Sequence, residues 1–263
     1  MIQESKYISN DDYHSQHDYI SSSGLKIIYD KSVFHYLNQE KSEPTNALVV
    51  GSATHTAILE PHNFDKEFLV IPKINKRTNA GKEEYQMCLQ KAEKENKYLL
   101  EEKDFDLIEN LKKGVFEDKD SKTLINYAKD KGLIEQSHFG QHEGVKMRIR
   151  PDIDIPEAEM LADLKTVDNN SRDAFRAKCN YYHWDLQAIM YCFVRNYTPY
   201  NFRWIVVEKK HPYSSQVYKM HPSTIDRGRE KFFEAFEDYK KYMHTGLITK
   251  YRGKDENDDA IFI

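Results

Sequence analysis

The sequence predicts an α+β domain in which a mixed β-sheet is flanked by helices. Up to residue 132 the chain contains mainly amphipathic or apolar helical segments. From residue 133 apolar and polar residues alternate, as in strands with one buried face, until a single long helix interrupts them. Such segregation of helices and strands along the chain is typical of α+β folds. We expect one domain over 1–263, with 1–132 mainly helical, 133–210 supplying the central sheet and 211–263 adding a strand and a helix.

The composition indicates a globular protein. Of 263 residues, 39% are hydrophobic and 13% are aromatic, which is too many for a disordered chain. The net charge of −4 excludes an overall basic nucleic-acid binder but allows a local basic groove. The chain has three cysteines without metal-like spacing, no signal peptide and no long apolar run, so we expect a cytoplasmic protein that does not enter a membrane.

The N-terminal part is expected to begin with a polar loop over 1–20. Serine capping favours a helix from about 23 to 37, and ALVVGSATHTAILE predicts a second helix that is apolar on nearly all sides and therefore buried. A short strand is expected at EFLVI. Two charged helices should follow over 80–97 and 103–131, the second with a break near Lys119.

The C-terminal part is expected to build the sheet. LIEQSHFG and GVKMRIRPDIDI predict two antiparallel strands joined near Gly140–Gly144, and EMLADLKT a third. A long helix over 171–195 carries Tyr181, Tyr182 and Trp184, which suit either stacking on a frayed DNA base or packing in the core. FRWIVVE and SQVYKM predict two more strands, and an amphipathic helix and the tail KDENDDAIFI end the chain.

The stretch Met147–Thr166, MRIRPDIDIPEAEMLADLKT, holds the most informative charges. Asp152 and Asp163 are expected on adjacent antiparallel strands, where both can bind one cation. Lys165 follows Asp163 by two positions and therefore faces the same side, where it can orient or deprotonate a water molecule. The Leu164 side chain points to the core, while its carbonyl can still reach the metal. Because Asp-x-Lys is common by chance, the surrounding residues must decide the interpretation.

Four other polar residues bear on that decision. His55 lies on the apolar helix, where a lone histidine is more often a core residue than a metal ligand. Glu135 is expected within a strand just before the hairpin, where an exposed glutamate is ordinary. Gln187 and Tyr191 are four positions apart on the long helix and share a face, which alone is unremarkable.

Together, these segments resemble the PD-(D/E)xK nuclease superfamily and, within it, the RecE-type phage exonucleases (exodeoxyribonuclease VIII). The resemblance covers most of the chain in order, and it is carried by YHSQHDYISSSGLKII, ALVVGSATHTAILEP, IPKINKRTNAGKEEY, EQSHFGQHEGVKMRIRPDI, ADLKT, YYHWDLQAIMY and WIVVEKKHPY. It implies a restriction-endonuclease-like core and assigns roles at the site. The metal ligands are His55, Asp152, Asp163 and the Leu164 carbonyl, the catalytic lysine is Lys165, the flanking pair is Gln187 and Tyr191, and Glu135 is a second-metal ligand or a supporting group.

Several basic residues predict contacts with DNA phosphates. Arg148 and Arg150 alternate along the strand that leads to Asp152, and strict alternation places both on the side of that carboxylate. The loop KINKRTNAGK offers further cations, although a solvated loop explains each of them equally well. These loop residues are Lys73, Lys76, Arg77 and Lys82.

The resemblance implies an exonuclease that requires Mg²⁺, with Mn²⁺ as a substitute. It would degrade one strand of linear double-stranded DNA from 5′ to 3′ and leave a 3′ strand for a single-strand annealing recombinase. It would be a phage or prophage protein in the bacterial cytoplasm, and a trimeric or tetrameric ring. Two alternatives stay open: an endonuclease of the same superfamily, and an inactive DNA-binding module, which the intact Asp-Asp-Lys set disfavours.

Overall fold

The computed structural model of the protein describes residues 2–40 and 43–251. Within them, helices surround three β-sheets, so the α+β class with a mixed sheet is confirmed. The tail KDENDDAIFI, and with it the predicted domain end at residue 263, lies outside the described residues. No helix in 2–40 or 43–251 combines the length and the apolar character needed to cross a bilayer.

The strands are β1 (Ile2–Lys6), β2 (Phe68–Ile71), β3 (Tyr98–Glu101), β4 (Leu133–Ile134), β5 (Ser137–His142), β6 (Val145–Ile149), β7 (Ile153–Ile155), β8 (Met160–Val167), β9 (Phe202–Glu208) and β10 (Ser215–Lys219). The helices are α1 (Asn10–His14), α2 (Ser22–Asp30), α3 (Val33–Leu37), α4 (Asn46–Leu59), α5 (Phe64–Glu67), α6 (Asn79–Lys94), α7 (Glu102–Glu117), α8 (Lys119–Lys131), α9 (Arg172–Tyr181), α10 (Trp184–Arg195) and α11 (Pro222–Thr245).

Two predicted helices are each divided in the structure. The helix expected over 23–37 ends at Asp30, and Ser32 then caps α3 by accepting a hydrogen bond from the backbone N–H of His35. The helix expected over 171–195 is interrupted at His183, whose φ of 52° is left-handed and cannot continue a helix. The predicted break near Lys119 is present, because the Asp118 side chain caps α8 there.

The N-terminal polar segment is more ordered than its sequence indicates. Residues 1–20 were expected to form a loop, but they include β1 and α1. Strand β1 pairs with β5, and β5 pairs with β6, which gives a three-stranded antiparallel sheet. Strand β1 is a polar edge strand. Its residues do not alternate between apolar and polar, so the sequence gives no signal for a strand there.

The strand that carries Asp163 and Lys165 lies in a separate, five-stranded sheet with the order β10-β9-β8-β7-β4. Strands β8 and β9 are parallel and their neighbours are antiparallel, so the sheet is mixed. The strand expected across Pro151 is therefore divided: β6 belongs to one sheet and β7 to the other. Proline has no N–H to donate to a ladder, which explains a break at this residue.

Helices cover both faces of the five-stranded sheet. On β8, Leu161 packs in the core formed with α2, α10 and α11, whereas Leu164 packs in the core formed with α4, α7 and α8. Side chains alternate along a strand, so Asp163 and Lys165 emerge on the same face as Leu161. The two apolar cores thus fix the strand, and Asp163 and Lys165 point toward α2 and α10.

Candidate metal centre

Asp152 occupies a fixed position at the start of β7. It is buried, and its Oδ2 accepts a hydrogen bond from the backbone N–H of Leu164 on β8 at 2.6 Å. Burial opposes its ionisation, but the neighbouring His55 and this hydrogen bond outweigh that effect and lower the pKa of Asp152. A charged carboxylate held between two strands is suited to bind a cation.

His55 and Glu135 complete a cluster of possible ligands around Asp152. His55 on α4 places Nδ1 at 3.3 Å from Asp152 Oδ2. Glu135 lies between β4 and β5 rather than within a strand, in a left-handed conformation with φ of 50°, and its N–H donates to the Asp152 carbonyl. One ligand atom from each of the three residues lies within 4.8 Å of the other two. One imidazole and two carboxylates at this spacing fit a divalent cation.

The buried Asp163 and the partly buried Lys165 form an ion pair beside this cluster. Burial disfavours the charged ammonium, but Asp163 and Asp152 outweigh it and raise the pKa of Lys165. A lysine that stays protonated neutralises and orients groups better than it removes a proton. Of the two roles expected for Lys165, the geometry therefore favours orienting water or phosphate over acting as a base.

The pair Gln187 and Tyr191 on α10 positions Asp163. The Gln187 amide nitrogen donates to Asp163 Oδ1 at 3.1 Å and to the Tyr191 hydroxyl at 3.0 Å. Its carbonyl oxygen accepts from Lys26 Nζ on α2 at 2.7 Å. Lys26 was not predicted, because one lysine beside the buried face of a short helix gives no signal in spacing. Burial and the nearby Lys165 lower its pKa to about 7.

The structure thus brings together His55, Glu135, Asp152, Asp163, Lys165, Gln187 and Tyr191. Asp163 does not belong to the three-residue ligand cluster, since its oxygens face Lys165 and Gln187. The Leu164 side chain lies in the core as expected, and its N–H supports Asp152. Ligation by Asp163 and by the Leu164 carbonyl stays a prediction.

The structure gives Arg148 and Arg150 a role other than phosphate binding. Arg148 is buried, and its Nη1 donates to the carbonyls of Tyr13 and Gln16, each at 2.6 Å. Arg150 donates to the Ile8 carbonyl at 2.9 Å. Both guanidinium groups therefore connect the N-terminal segment by hydrogen bonds to β6 and the residue that follows it. Both groups lie over the Tyr13 ring and therefore share a side, as the alternation predicts, and their contact with DNA phosphates stays a prediction.

The four basic residues of the KINKRTNAGK segment are exposed. Lys76 Nζ contacts Glu101 Oε1 at 2.5 Å and lies 3.7 Å from the centre of the Tyr85 ring, so its charge is partly neutralised. Lys82 is on α6, whereas Lys73 and Arg77 precede it. DNA contact by these residues stays a prediction.

The charges of the cluster predict that metal binding strengthens as pH rises. Burial and Asp152 raise the pKa of Glu135 from 4.5 to about 8, and Asp152 outweighs burial to raise that of His55 from 6.5 to about 9. A metal ion must displace these protons, so the affinity for Mn²⁺ should increase up to about pH 9. Calorimetry in two buffers of different ionisation enthalpy measures the protons released.

The same shifts predict the stability of the metal-free protein. Both folded-state pKa values are raised, so each group stabilises the fold below its unfolded pKa and loses this effect as pH rises through its folded pKa. Stability from Glu135 should decline between pH 4.5 and 8, and that from His55 between pH 6.5 and 9. Urea denaturation checks this, and Glu135→Gln should reduce the decline. An increase in stability over this range would contradict the assignment.

Comparison with known proteins identifies the family and the fold of the chain. A family model described as a PDDEXK-like domain of unknown function (DUF3799) matches residues 21–256. No curated protein sequence shows a significant match. A crystal structure of a "putative exonuclease" from Eubacterium rectale has a TM-score of 0.61 at 15% identity, over 95% of this chain and 92% of that one. A phage related exonuclease from Haemophilus somnus 129PT has a TM-score of 0.31 at 11% identity, over 87% and 96%.

The E. rectale structure shows a shared fold, and the family match extends over nearly all described residues. The expected restriction-endonuclease-like architecture is confirmed. The Asp-Asp-Lys residues that define the superfamily pattern are Asp152, Asp163 and Lys165, and they lie close together in this fold. The chain belongs to the family of PDDEXK-like domains and is a metal-dependent nuclease of the PD-(D/E)xK superfamily.

Proposed function

We propose that the protein is a Mg²⁺-dependent exodeoxyribonuclease of the RecE type. It hydrolyses one strand of linear double-stranded DNA from 5′ to 3′ and leaves a 3′ single strand for annealing and recombination. The observation that carries the proposal is the cluster of His55, Glu135 and Asp152 beside the Asp163–Lys165 ion pair. The related fold of the E. rectale protein, described as a "putative exonuclease", supports exonuclease activity.

The residues of the centre divide into three tasks. His55, Asp152 and Glu135 would hold the metal, which supplies a Lewis acid for the phosphate and lowers the pKa of a water molecule. Lys165 presents a positive charge to the phosphate oxygens, where negative charge increases during hydrolysis. Asp163 orients that ammonium group, and Gln187 fixes Asp163 through its amide nitrogen.

The remaining expectations rest on the resemblance alone. A single-strand annealing partner, a trimeric or tetrameric ring and a place in the cytoplasm of a bacterium that carries the phage or prophage stay predictions. The competing activity is endonucleolytic cleavage, which the same centre can perform. The access of the DNA to the centre, and not the chemistry, distinguishes the two reactions.

Digestion of linear and closed circular duplexes tests the proposal. With Mg²⁺ or Mn²⁺, a linear duplex labelled at one 5′ end should release its label first, whereas a covalently closed circle should stay intact. Ca²⁺ should support DNA binding without cleavage, because its looser coordination does not activate water in the same way. Protein carrying Asp163→Asn controls for contaminating nucleases.

The other outcomes discriminate among the alternatives. Cleavage of the closed circle would establish an endonuclease. Earlier release of a label placed instead at the 3′ end of the same strand would contradict the proposed polarity. A linear duplex that stays intact with both metals, although the protein binds it, would indicate an inactive DNA-binding module.

A further inference from the structure

The junction between α9 and α10 places two tyrosines in solvent next to the metal centre. The left-handed residue His183 separates the helices and directs Tyr181 and Tyr182 outward. Tyr181 is 76% exposed and Tyr182 is 49% exposed. Trp184, one position past the junction, instead packs against the core, and its ring centre lies 5.5 Å from Lys165 Nζ. The junction thus connects an exposed aromatic surface to the catalytic lysine.

The inner rings hold Tyr182 in place. Tyr182 stacks on Trp184 with ring centres 5.3 Å apart and an angle of 25°. Trp184 stacks in turn on Phe175, which stacks on Tyr218 at 4.9 Å and 19°. Because the core fixes the inner rings, Tyr182 is the outer end of an ordered stack. Because Tyr182 is already ordered, it loses little conformational entropy when another ring stacks beside it.

Lysines accompany this aromatic surface. Tyr181 and Tyr182 line a cleft of about 580 Å³ between α2 and the α9–α10 junction, together with Lys26 and Lys31. Asp30 is the one acid among the residues that line this cleft. Lys26 also donates to Gln187, which binds Asp163, so the cleft and the centre share a side chain. Lysines beside tyrosines suit a strand that has both phosphates and unpaired bases.

We propose that Tyr181 and Tyr182 form a stacking surface for unpaired bases of the DNA strand whose phosphate lies at Lys165. This inference rests on the proposed function, since the nuclease centre is what brings a strand to this cleft. Stacking on aromatic rings accepts every base, as an enzyme that degrades any sequence requires. If the surface instead bound a protein partner or a second copy of this chain, the affinity for DNA would not depend on the presence of bases.

Binding of short single-stranded DNA, measured by fluorescence anisotropy in Ca²⁺, tests the surface. The probes are an oligodeoxyadenosine and an abasic oligomer of the same length. Tyr181→Leu with Tyr182→Leu keeps apolar bulk but removes the rings, and should raise the Kd for the oligodeoxyadenosine about 5- to 150-fold. Tyr181→Phe with Tyr182→Phe retains the rings and should bind like the wild type. Tyr200→Leu changes an exposed tyrosine elsewhere and should have no effect.

The abasic oligomer isolates the contribution of the bases. The wild type should bind the abasic oligomer more weakly than the oligodeoxyadenosine. The wild type and the double leucine variant should bind the abasic oligomer equally. An equal loss on both probes, or no loss on either, would overturn the inference. A double leucine variant that loses self-association in sedimentation, but binds the oligodeoxyadenosine normally, would overturn it in favour of an interface between copies.

Digestion of linear duplex in Mg²⁺ separates this inference from the proposed function. Cleavage by the wild type together with unchanged binding by the leucine variant would refute the stacking surface alone. Base-dependent binding through the tyrosines without any cleavage would refute the exonuclease and support the surface. A wild type that neither cleaves the duplex nor binds the oligodeoxyadenosine would refute both.

Discussion

Lys165→Met should reduce the rate of duplex cleavage by at least about 10²–10³-fold while DNA binding in Ca²⁺ persists. The Lys165 side chain is 16% exposed and pairs with the buried Asp163, so its charge acts beside a buried carboxylate. Methionine keeps the length of the side chain without the charge. Asp163→Asn should have a comparable effect, because the amide no longer holds the ammonium in place. Initial rates on end-labelled linear duplex measure both variants.

A matched control tests whether the loss of activity is specific to the charge of Lys165 or follows the removal of any paired lysine. Lys240 also pairs with carboxylates, Glu143 and Glu237, but it lies on the surface of α11. Lys240→Met should therefore cleave DNA at the wild-type rate. Thermal unfolding must show that the Lys165→Met protein is folded. Normal turnover in a folded Lys165→Met protein would rule out the assignment of Lys165 as the catalytic lysine.

Arg195→Met should lower the free energy of unfolding by about 3–5 kcal/mol, because it leaves a buried carboxylate without its guanidinium partner. Arg195 Nε lies 2.7 Å from Oδ2 of Asp154, which is fully buried on β7 and two residues from Asp152. His138 Nε2 lies 3.0 Å from the same oxygen, but it does not supply the guanidinium group that is lost. Urea denaturation at neutral pH without metal measures the loss.

Two further variants identify the cause of that loss. Arg195→Met combined with Asp154→Asn should be more stable than Arg195→Met alone, because no buried charge is then left unpaired. Lys113→Met breaks the exposed pair with Glu117 and should change stability by less than about 0.5 kcal/mol. If the double variant were as unstable as the single one, the lost packing of the arginine would be the cause.

The residues that share one strand or one helix face could be predicted from the sequence. Asp163 and Lys165 are two positions apart on β8, and Gln187 and Tyr191 are four apart on α10, so local geometry alone aligns each pair. His55 required the resemblance, because nothing in an apolar helix shows which strand it will meet. The order of helices and strands likewise followed from periodicity.

Features that depend on distant partners could not be predicted. The left-handed conformation of His183 leaves no trace in composition, because residues other than glycine seldom adopt it. The contact of Lys26 with Gln187 joins two helices far apart in the chain. The alternation of Arg148 and Arg150 was recognised, but the carbonyls that they bind belong to an N-terminal segment whose polar sequence predicted only a loop.

The hydrogen bonds of Arg148 and Arg150 also determine how far the N-terminus of this domain can be truncated. The family match begins at residue 21, yet the carbonyls of Ile8, Tyr13 and Gln16 accept hydrogen bonds from Arg150 and Arg148. A shortened protein that starts at the family boundary would leave the buried guanidinium of Arg148 without these acceptors. Residues 8–16 are therefore a structural part of the nuclease, and fragments designed from family boundaries alone would omit them.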